Sequence, residues 1–393
     1  MSEGPLHGTL VVEFGNLIAA PYAAMLLADL GARVIKVEPP SGDLARAFGP
    51  FHNGESAFFM AVNRGKESLA LDPKDWLSKR VLDNLVRKAD VLIHNLRHGA
   101  IDRLGLGEDR ARELNPSLIY AAISAFGAEG PYAERPGIDI IFQGESGMIS
   151  LTGGPKDPTM KTATTIGDYL AGTNTAFAVA ASLAARPRRW QKLDISLRDG
   201  LIAAQATWNA LALASGEQPE RTGTASPYVA PSQVFDASDE PFTLAVVSDH
   251  HFGLLAEALD RADLLRDYPT NDDRMRHQRQ LVRKLQKIFA EHEAEHWLEL
   301  LGGVGLPVGS VLTLLEALRD PQARHNQMTI EFHHPVAGTV ETTGSPIRVD
   351  GSQALASSIP ATLGQHTRSL LGELGLDPET IEQMVDSGTA VAS

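Results

Sequence analysis

The stretch GTLVVEFGNLIAAPYAAMLLADLGARVIKVE, residues 8–38, decides the fold. Its β-branched run LVVEF predicts a buried strand, and the small apolar residues that follow predict a helix. Pro21 fits the first turn of that helix, and Gly31 fits its C-terminal cap. A second strand-like run, RVIKVE, comes directly after it. Two later runs, ADVLIHNL and LIYAAISAFG, each follow a charged helical segment, so we predict parallel β–α–β units and an α/β fold.

The composition excludes several classes of function. The 393 residues carry a formal net charge of −14, whereas surfaces that bind nucleic acid or anionic membranes are basic. We therefore predict no nucleic-acid partner and no membrane partner. The sequence has no cysteine, which excludes disulfides, thiolate metal sites and cysteine nucleophiles. The N-terminal residues lack the apolar segment of a secretory signal, so we predict a cytoplasmic protein.

The pattern of the sequence changes near residue 216. There GEQPERTGTASPYVAPSQ is rich in Gly, Pro, Ser and Thr, and VFDASDEPFTLAVV beyond it predicts a hairpin. Residues 251–302 predict mostly amphipathic helix, and strand-like alternation returns from about residue 328. We therefore predict a large domain over residues 1–216, a small α+β domain over 217–327 and a C-terminal segment over 328–393.

Two common motif-based interpretations fail. The turn after the first strand, GNLIAAP, lacks the G-x-G-x-x-G pattern that brings backbone close to a pyrophosphate, so NAD binding is disfavoured. The string HEAEH, residues 292–296, matches the H-E-x-x-H zinc motif. It lies in a charged stretch of predicted helix with no obvious third ligand after it, and we predict no metal site.

Basic residues lie close to several predicted strands. They are Arg64, Lys66, Lys74, Arg97, His98 and Arg103. Because loops at the carboxyl ends of parallel strands form the ligand crevice of such sheets, positive loops on an acidic protein indicate a phosphorylated small ligand. Scattered, solvated side chains are the alternative interpretation.

A single charge opens the otherwise uncharged stretch TTIGDYLAGTNTAFAVAASLAA, residues 164–185. Asp168 follows a glycine at the start of a predicted apolar helix, and Asp is a preferred N-cap residue. The position also suits a reactive carboxylate, because the N-terminus of a helix favours the charged form. The residues alone leave both roles open.

Sequence motifs along nearly the whole chain resemble those of one known family. They are ARVIKVEPPSGDLAR, NRGKESLALD, ADVLIHNLRHGAIDRLGLG, NPSLIYAAISAFGAEGPYAERPGID, QGESGMISLTG, KLDISLRDGLI, GLPVGSVLTLLEAL and HPVAGTVETTGSPIR. This set resembles the family III CoA-transferases, which include formyl-CoA and carnitine CoA-transferases and the related α-methylacyl-CoA racemases. The resemblance implies a Rossmann-like large domain with a parallel sheet, a smaller α+β domain, and a homodimer of interlocked subunits.

The resemblance also implies the residues of the site. Asp168 in IGDYLAG stands at the place of the family's nucleophile, and Asp139 in PGID matches an acid near the active centre. Contacts to CoA fall at Leu71, Lys74, Asn95, Leu96, Arg97, Arg103 and, more loosely, Arg135. No cofactor is held permanently; coenzyme A and acyl-CoA are substrates, together with a small carboxylic acid.

The implied reaction moves CoA from an acyl-CoA donor to a free carboxylic acid, through an aspartyl anhydride and an aspartyl-CoA thioester on Asp168. The related racemases carry a histidine in a G-H-D triplet, which here reads Gly137-Ile138-Asp139. Since isoleucine cannot move a proton, a transferase is favoured over a racemase. An acyl-CoA racemase or epimerase, and a non-catalytic CoA-binding protein, remain the alternatives.

Some positions depart from the family's pattern. The common E-N-F-x-P-G loop is HNLRHG here, with His94 and His98, and Glu145 stands where an uncharged residue is usual. These departures concern the choice of substrate more than the nucleophile.

Overall fold

The computed structural model describes residues 4–393, which form two compact units. The first runs from residue 4 to Met148 and adds Lys161–Ala210 and Asp320–Ser393. The second consists of Ile149–Met160 and Leu211–Arg319. These units are defined by packing alone, so the domain boundaries predicted from the sequence stay a prediction.

Sixteen strands occur within residues 4–393. In chain order they are β1 Leu10–Phe14, β2 Arg33–Glu38, β3 Phe51–His52, β4 Glu55–Ser56, β5 Lys66–Leu71, β6 Val91–His94, β7 Ile119–Ser124, β8 Gln191–Ser196, β9 Ser232–Asp236, β10 Pro241–Ala245, β11 Val308–Ser310, β12 Thr329–His334, β13 Gly338–Thr343, β14 Arg348–Val349, β15 Ser352–Gln353 and β16 Ala390–Val391.

Helices connect most of these strands. In chain order they are α1 Ala19–Asp29, α2 Ala57–Met60, α3 Trp76–Lys88, α4 Ala100–Arg103, α5 Glu108–Leu114, α6 Asp139–Glu145, α7 Met148–Leu151, α8 Ile166–Ala184, α9 Leu197–Ala204, α10 Ala206–Ser215, α11 Asp249–Ala258, α12 Ala262–Asp267, α13 Asn271–Arg276, α14 Gln278–Phe289, α15 Ala294–Gly303, α16 Leu314–Arg319, α17 Pro321–His325, α18 Thr367–Glu373 and α19 Pro378–Asp386. A short 3-10 helix covers Leu44–Ala47.

The first unit is built on a seven-stranded, mostly parallel sheet. Its strand order is β16-β5-β2-β1-β6-β7-β8, and β16 alone pairs in the antiparallel sense, with Ala390 opposite Leu71. The prediction of a mixed α/β fold with a parallel sheet is therefore confirmed. All the parallel strands end at one edge, which is where open α/β sheets bind ligands.

Both faces of this sheet are covered by helices. Val12 faces a core shared with α3, α5, α18 and α19, whereas its neighbour Val11 faces a core shared with α1, α8 and α9. Successive residues of a strand point to opposite faces, so a sheet buried on both sides needs apolar residues in continuous runs. That requirement explains why LVVEF and VLIH do not alternate with polar residues.

Helix α8 lies close against α1. A Cβ atom on Gly172 would stand 2.8 Å from the carbonyl oxygen of Ala19 and 3.0 Å from Cδ1 of Tyr22. The ring of Tyr22 meets the ring of Tyr169 edge-on, with 4.9 Å between the ring centroids. The glycine thus allows the two helices to approach, and this contact helps fix the position of the first turns of α8.

Charged side chains lie inside the first unit, where β1, β2 and β5 are neighbours. Glu13 lies 2.8 Å from the Nζ atom of Lys36 and 2.7 Å from that of Lys66. Lys36 also pairs with Asp43 at 2.9 Å. Burial alone would raise the pKa of Glu13, but Lys36 and Lys66 lower it, so the carboxylate stays charged inside the protein.

Arg64 is also part of the interior. It donates two hydrogen bonds to Asp29, at 2.9 and 2.6 Å, and a third to the backbone carbonyl of Thr343. The interpretation of Arg64 and Lys66 as cations of a ligand loop is therefore wrong. Both are buried, and each is paired with a carboxylate of the first unit.

The second unit has its own core around an antiparallel sheet in the order β11-β10-β9. The predicted hairpin is β9 and β10, and Phe235 and Phe242 from its strands pack with Phe289 and Trp297 from the helices. The helix predicted through HEAEH is wrong, because α14 ends before this string and α15 begins inside it. No group of three potential metal-ligating side chains occurs among residues 4–393.

The prediction of no membrane partner can be compared with the lengths of the helices. Within the described part of the chain, no helix combines the length and the apolar character that are needed to cross a bilayer.

Candidate active site

The N-terminus of α8 lies at the carboxyl edge of the sheet. The chain reaches α8 after β7 and continues from it into the parallel strand β8, so the helix runs opposite to the strands. Asp168 is the third residue of this helix and is half-buried. Because Thr165 takes the N-cap position, the cap role that the sequence left open for Asp168 is excluded.

Asp139 is the first residue of α6 and is buried, with 6% of its surface exposed. Its Oδ1 atom accepts a hydrogen bond of 2.8 Å from the backbone N–H of Gly167, and its Oδ2 atom accepts one of 2.5 Å from Nε2 of Gln143. A Cβ atom on Gly167 would stand 2.9 Å from Asp139 Oδ1, so this close approach requires glycine. The structure thus brings together Asp139 and the residue preceding Asp168.

The surroundings of Asp168 change its acidity. Burial raises the pKa of this carboxyl to about 7, and the neighbouring charge of Asp139 acts in the same direction. The helix N-terminus therefore does not offset the effect of burial, and the carboxyl of Asp168 changes between its protonated and charged forms near neutral pH. No described residue donates a hydrogen bond to its carboxylate, so the charged form is poorly solvated and correspondingly basic.

This raised pKa predicts a pH dependence. If the Asp168 carboxylate is the reacting form, activity rises with pH through about pH 7, because a carboxyl that is protonated below its pKa cannot attack. In an Asp139→Asn variant one of the two causes of the shift is gone, so the rise should move to lower pH. The measurement is kcat/KM against pH for both proteins, and identical midpoints would contradict the coupling of the two carboxyls.

Two predicted CoA contacts lie at the end of β5 and in the turn after it. Leu71 is the last residue of that strand and is buried in the core shared with α3, α18 and α19. Lys74 is exposed in the turn before α3, and its backbone N–H donates to the side chain of Asp72. Of these two side chains, only Lys74 is accessible to a ligand.

Four predicted contacts follow β6. The amide of Asn95 accepts from the backbone N–H of Asn16 at 2.9 Å and donates to the carbonyl of the same residue at 2.8 Å, which fixes the loop after β1. Leu96 packs against the core with part of its surface exposed. Arg97 and Arg103 are exposed, on the loop after β6 and at the end of α4.

Arg135 is held by its neighbours. Its guanidinium pairs with Glu145 at 2.6 Å and lies over the rings of Phe126 and Tyr132, 4.7 and 4.6 Å from their centroids. The unusual carboxylate of Glu145 therefore has a partner on the same surface. This arrangement makes Arg135 less available to CoA than Arg97 and Arg103, which have no ion-pair partner among the described residues.

The two unusual histidines occupy different environments. His94, the last residue of β6, is buried, and neither ring nitrogen finds a hydrogen-bond partner within the described residues. Burial lowers the pKa of His94 to about 4, so its ring is neutral, and it packs edge-on against Tyr120. His98 is exposed on the following loop.

Two residues of this site were not anticipated from the sequence. Gln143 stands one helical turn after Asp139, so the spacing D-x-x-x-Q places both on one face of a helix. Gly167 directly precedes Asp168 and matters because its N–H faces Asp139. The i, i+4 spacing was a visible signal for Gln143, whereas no local pattern shows which N–H a distant carboxylate will bind.

Comparisons with known proteins agree with one another. The sequence profile described as CoA-transferase family III matches residues 6–367. Acetyl-CoA:oxalate CoA-transferase of Acetobacter aceti is 37% identical over 89% of this chain and 90% of that enzyme. Succinyl-CoA:glutarate CoA-transferase of Mus musculus is 32% identical over 98% of this chain and 90% of that enzyme. The crystal structure of a CAIB/BAIF family protein from Brucella suis matches with a TM-score of 0.84 and 34% identity, covering 95% of this chain and 100% of that one.

These matches extend over both compact units and include the carboxyl edge of the sheet with Asp139 and Asp168. Both relatives named above are CoA-transferases, and the resemblance drawn from the motifs is confirmed. The chain is an enzyme that belongs to CoA-transferase family III.

Proposed function

We propose that the protein moves CoA from an acyl-CoA to a free carboxylic acid, with Asp168 as the covalent nucleophile. One observation carries this proposal: the half-buried carboxylate in the first turn of α8, beside Asp139, accepts no hydrogen bond from the described residues. A carboxylate that burial makes more basic is also a better nucleophile toward a thioester.

The reaction proceeds through balanced displacements. The Asp168 carboxylate attacks the acyl-CoA carbonyl, the C–S bond breaks, and a mixed anhydride and CoA thiolate form. The thiolate attacks the aspartyl carbonyl, which releases the donor acid and leaves an aspartyl-CoA thioester. An acceptor carboxylate then attacks this thioester to give a second anhydride and free thiolate. The thiolate finally takes the acceptor acyl group, which restores the Asp168 carboxylate.

Backbone N–H groups at the start of α8 can stabilise the negative charge that develops during the reaction. The first N–H groups of a helix have no partner within the helix, and they carry its positive end. At α8 the N–H of Gly167 is taken by Asp139, and those of Asp168 and Tyr169 by the carbonyl of Thr165. Among the described residues this leaves the N–H of Ile166 in the first turn for the oxyanion that each displacement creates. Asp139 thus acts beside the nucleophile, as the acid that shapes its surroundings.

The position before Asp139 disfavours proton transfer. Ile138 is 64% exposed and its side chain has no group that can carry a proton. An acyl-CoA racemase would exchange the α-proton of its substrate with deuterated buffer in the absence of any acceptor acid. We expect no such exchange.

CoA is proposed to bind along the carboxyl edge of the sheet. Lys74, Arg97 and Arg103 are the exposed cations of the predicted set that have no ion-pair partner among the described residues, and cations there suit the phosphates of CoA. Asn95 acts by holding the loop after β1, and Leu71 by packing beneath the edge. Arg135 keeps its looser assignment because of its pairing with Glu145.

The acceptor is proposed to be a small dicarboxylic acid. The names of two relatives specify oxalate and glutarate as acids and acetyl-CoA and succinyl-CoA as donors. The test is a panel of acyl-CoA donors crossed with free acids, in which each new acyl-CoA is identified by its mass. Exchange with at least one dicarboxylate is expected. CoA binding without exchange for every pair would instead identify a non-catalytic CoA-binding protein.

We also propose a homodimer, and the family resemblance implies that its subunits interlock. None of the residues of the apolar helix α10 is buried, and Leu213 on it is 85% exposed. On α8, Phe177 is 74% exposed. Large apolar side chains in such positions are typical of surfaces that a partner covers.

A substitution on α10 tests this surface. Leu213→Glu places a charge on the exposed apolar face and is expected to weaken self-association by at least about tenfold, which corresponds to about 1.4 kcal/mol. Sedimentation over a range of protein concentrations measures the effect. Leu265→Glu, at a leucine of α12 that is 42% exposed, serves as the matched control. Equal association of both variants would argue against a dimer interface at α10.

We propose a cytoplasmic protein with two domains and a C-terminal segment. Residues 1–216 form the CoA-binding domain, 217–327 the small domain, and 328–393 the segment that returns to the large domain. The pairing of β16 with β5 supports the return of the C-terminal segment. A cytoplasmic location fits the absence of cysteine and the reducing conditions there.

A further inference from the structure

A fully buried amide connects the carboxylate of Asp139 to the loop before α8. Gln143 has no exposed surface, and all of its polar atoms are bonded. Its Nε2 atom donates to Asp139 Oδ2 at 2.5 Å and, more weakly, to the carbonyl of Thr164 at 3.4 Å. Its Oε1 atom accepts from the backbone N–H of Thr162 at 2.9 Å. The side chain therefore holds α6 and the loop over residues 162–164 at a fixed separation.

A second connection completes this arrangement. The other oxygen of Asp139 accepts the N–H of Gly167, one residue before Asp168. Gln143 thus holds one oxygen of Asp139 while the first turn of α8 holds the other. If the amide were lost, the Asp139 carboxylate would be free to rotate away from Gly167, and the loop that leads into α8 would lose its attachment.

We infer that Gln143 is a positioning residue for the Asp139–Asp168 pair, which sets how fast Asp168 forms its covalent intermediate without contacting CoA. The inference rests on the proposed function. Its physical basis is that a nucleophile displaced by a fraction of an ångström loses much of the advantage of a fixed approach. Because Gln143 is buried behind Asp139, its loss should slow the chemistry and leave the binding of CoA unchanged.

The first test replaces Gln143 by methionine, which has a similar length and volume and no hydrogen-bonding amide. Acyl-CoA is mixed with protein, and the rate at which a covalent adduct appears on the Asp168 peptide is followed by mass spectrometry. A decrease in this rate of at least about tenfold is expected. The Kd for CoA should stay within about twofold of the wild-type value, since no contact to CoA is removed.

The matched control is Gln205→Met. Gln205 is similarly buried, at 7% exposed, and donates to the carbonyls of Ser146 and Leu201, and Asp139 is not among its hydrogen-bond partners. If the loss of any buried amide slowed the reaction through general loosening, both variants would be slow. The inference requires that only Gln143→Met be slow.

A second variant keeps the test decisive if Gln143→Met does not fold. Gln143→Leu has a shorter side chain than methionine and likewise lacks both the donor to Asp139 and the oxygen that accepts from Thr162. Slow adduct formation with unchanged CoA affinity is again expected. Wild-type rates in the folded variants would overturn the inference alone. Absence of any adduct in the wild-type protein would overturn the proposed function and this inference with it.

Discussion

Replacement of Asp168 by asparagine is expected to abolish CoA transfer, with kcat lowered by at least about a thousandfold. The amide nearly matches the carboxyl in shape, but it cannot attack a thioester to form an anhydride. The measurement is the rate of acyl exchange between an acyl-CoA and a free acid. Covalent adducts on the residue 168 peptide should disappear together with the activity.

The matched control is Asp199→Asn. Asp199 is the third residue of α9, as Asp168 is of α8, and it too is an acidic residue in a first helical turn. Its side chain is 61% exposed, and Asp139 is not among its hydrogen-bond partners. Activity close to wild type is expected for this variant. Rapid turnover by the Asp168→Asn variant would contradict the assignment of Asp168 as the nucleophile.

The stability of the Asp168→Asn variant shows whether a loss of activity comes from the missing nucleophile or from unfolding. In the folded protein the pKa of Asp168 is raised from 3.8 to about 7, so the folded state holds this proton more tightly than the unfolded state does. Stability from this group is fully present below about pH 4 and is lost as the pH rises through about 7. Asparagine carries no charge, so above that pH the variant should be more stable than wild type, by up to about 4 kcal/mol. Thermal unfolding at both ends of this range measures the difference.

Replacement of Glu13 by glutamine is expected to cause the largest loss of stability, about 3–5 kcal/mol in the free energy of unfolding. The change leaves the buried ammonium groups of Lys36 and Lys66 without the carboxylate that they share. Burial already lowers the pKa of Lys66 to about 8 although Glu13 opposes this shift. Without Glu13 the buried charge becomes still less favourable. Denaturant unfolding at neutral pH gives the free energies.

Glu67→Gln is the control for an ion pair at the surface. Glu67 pairs with Arg33 at 2.6 Å, where the two side chains are 28% and 41% exposed. Solvent screens such a pair, and a loss below about 1 kcal/mol is expected. If both substitutions cost the same, the interior network around Glu13 does not contribute as described.

The strand and helix pattern was predictable because it depends on neighbours in the sequence. The apolar runs of β1 and β2 and the small residues of α1 show their structure within a few residues. The same reasoning from neighbouring residues gave a wrong prediction for the string HEAEH, which is not part of one continuous helix. There the charged residues resemble a continuing helix, yet the chain leaves the helix after Phe289 and starts a new one at Ala294.

The candidate site depends on contacts between distant residues, and these were only partly predictable. Lys66 resembles a ligand-binding lysine in the sequence, because nothing local shows that Glu13 on another strand faces it. The sequence shows Asp168 as the single charge of an apolar stretch. Its raised pKa, however, comes from burial and from Asp139 on a different helix. Such effects follow from the packing of α6 and α8, which the sequence pattern does not specify.

The most direct test of covalent catalysis by Asp168 follows an oxygen atom. When an acceptor carboxylate labelled with heavy oxygen attacks the aspartyl-CoA thioester, one labelled oxygen becomes the bridge of the second anhydride. Attack of CoA thiolate on the acceptor carbonyl then leaves that oxygen on Asp168. After a single turnover with labelled acceptor and digestion of the protein, the peptide containing Asp168 should carry one heavy oxygen, located on this side chain by fragmentation. Complete turnover with no label on Asp168 would contradict the mechanism.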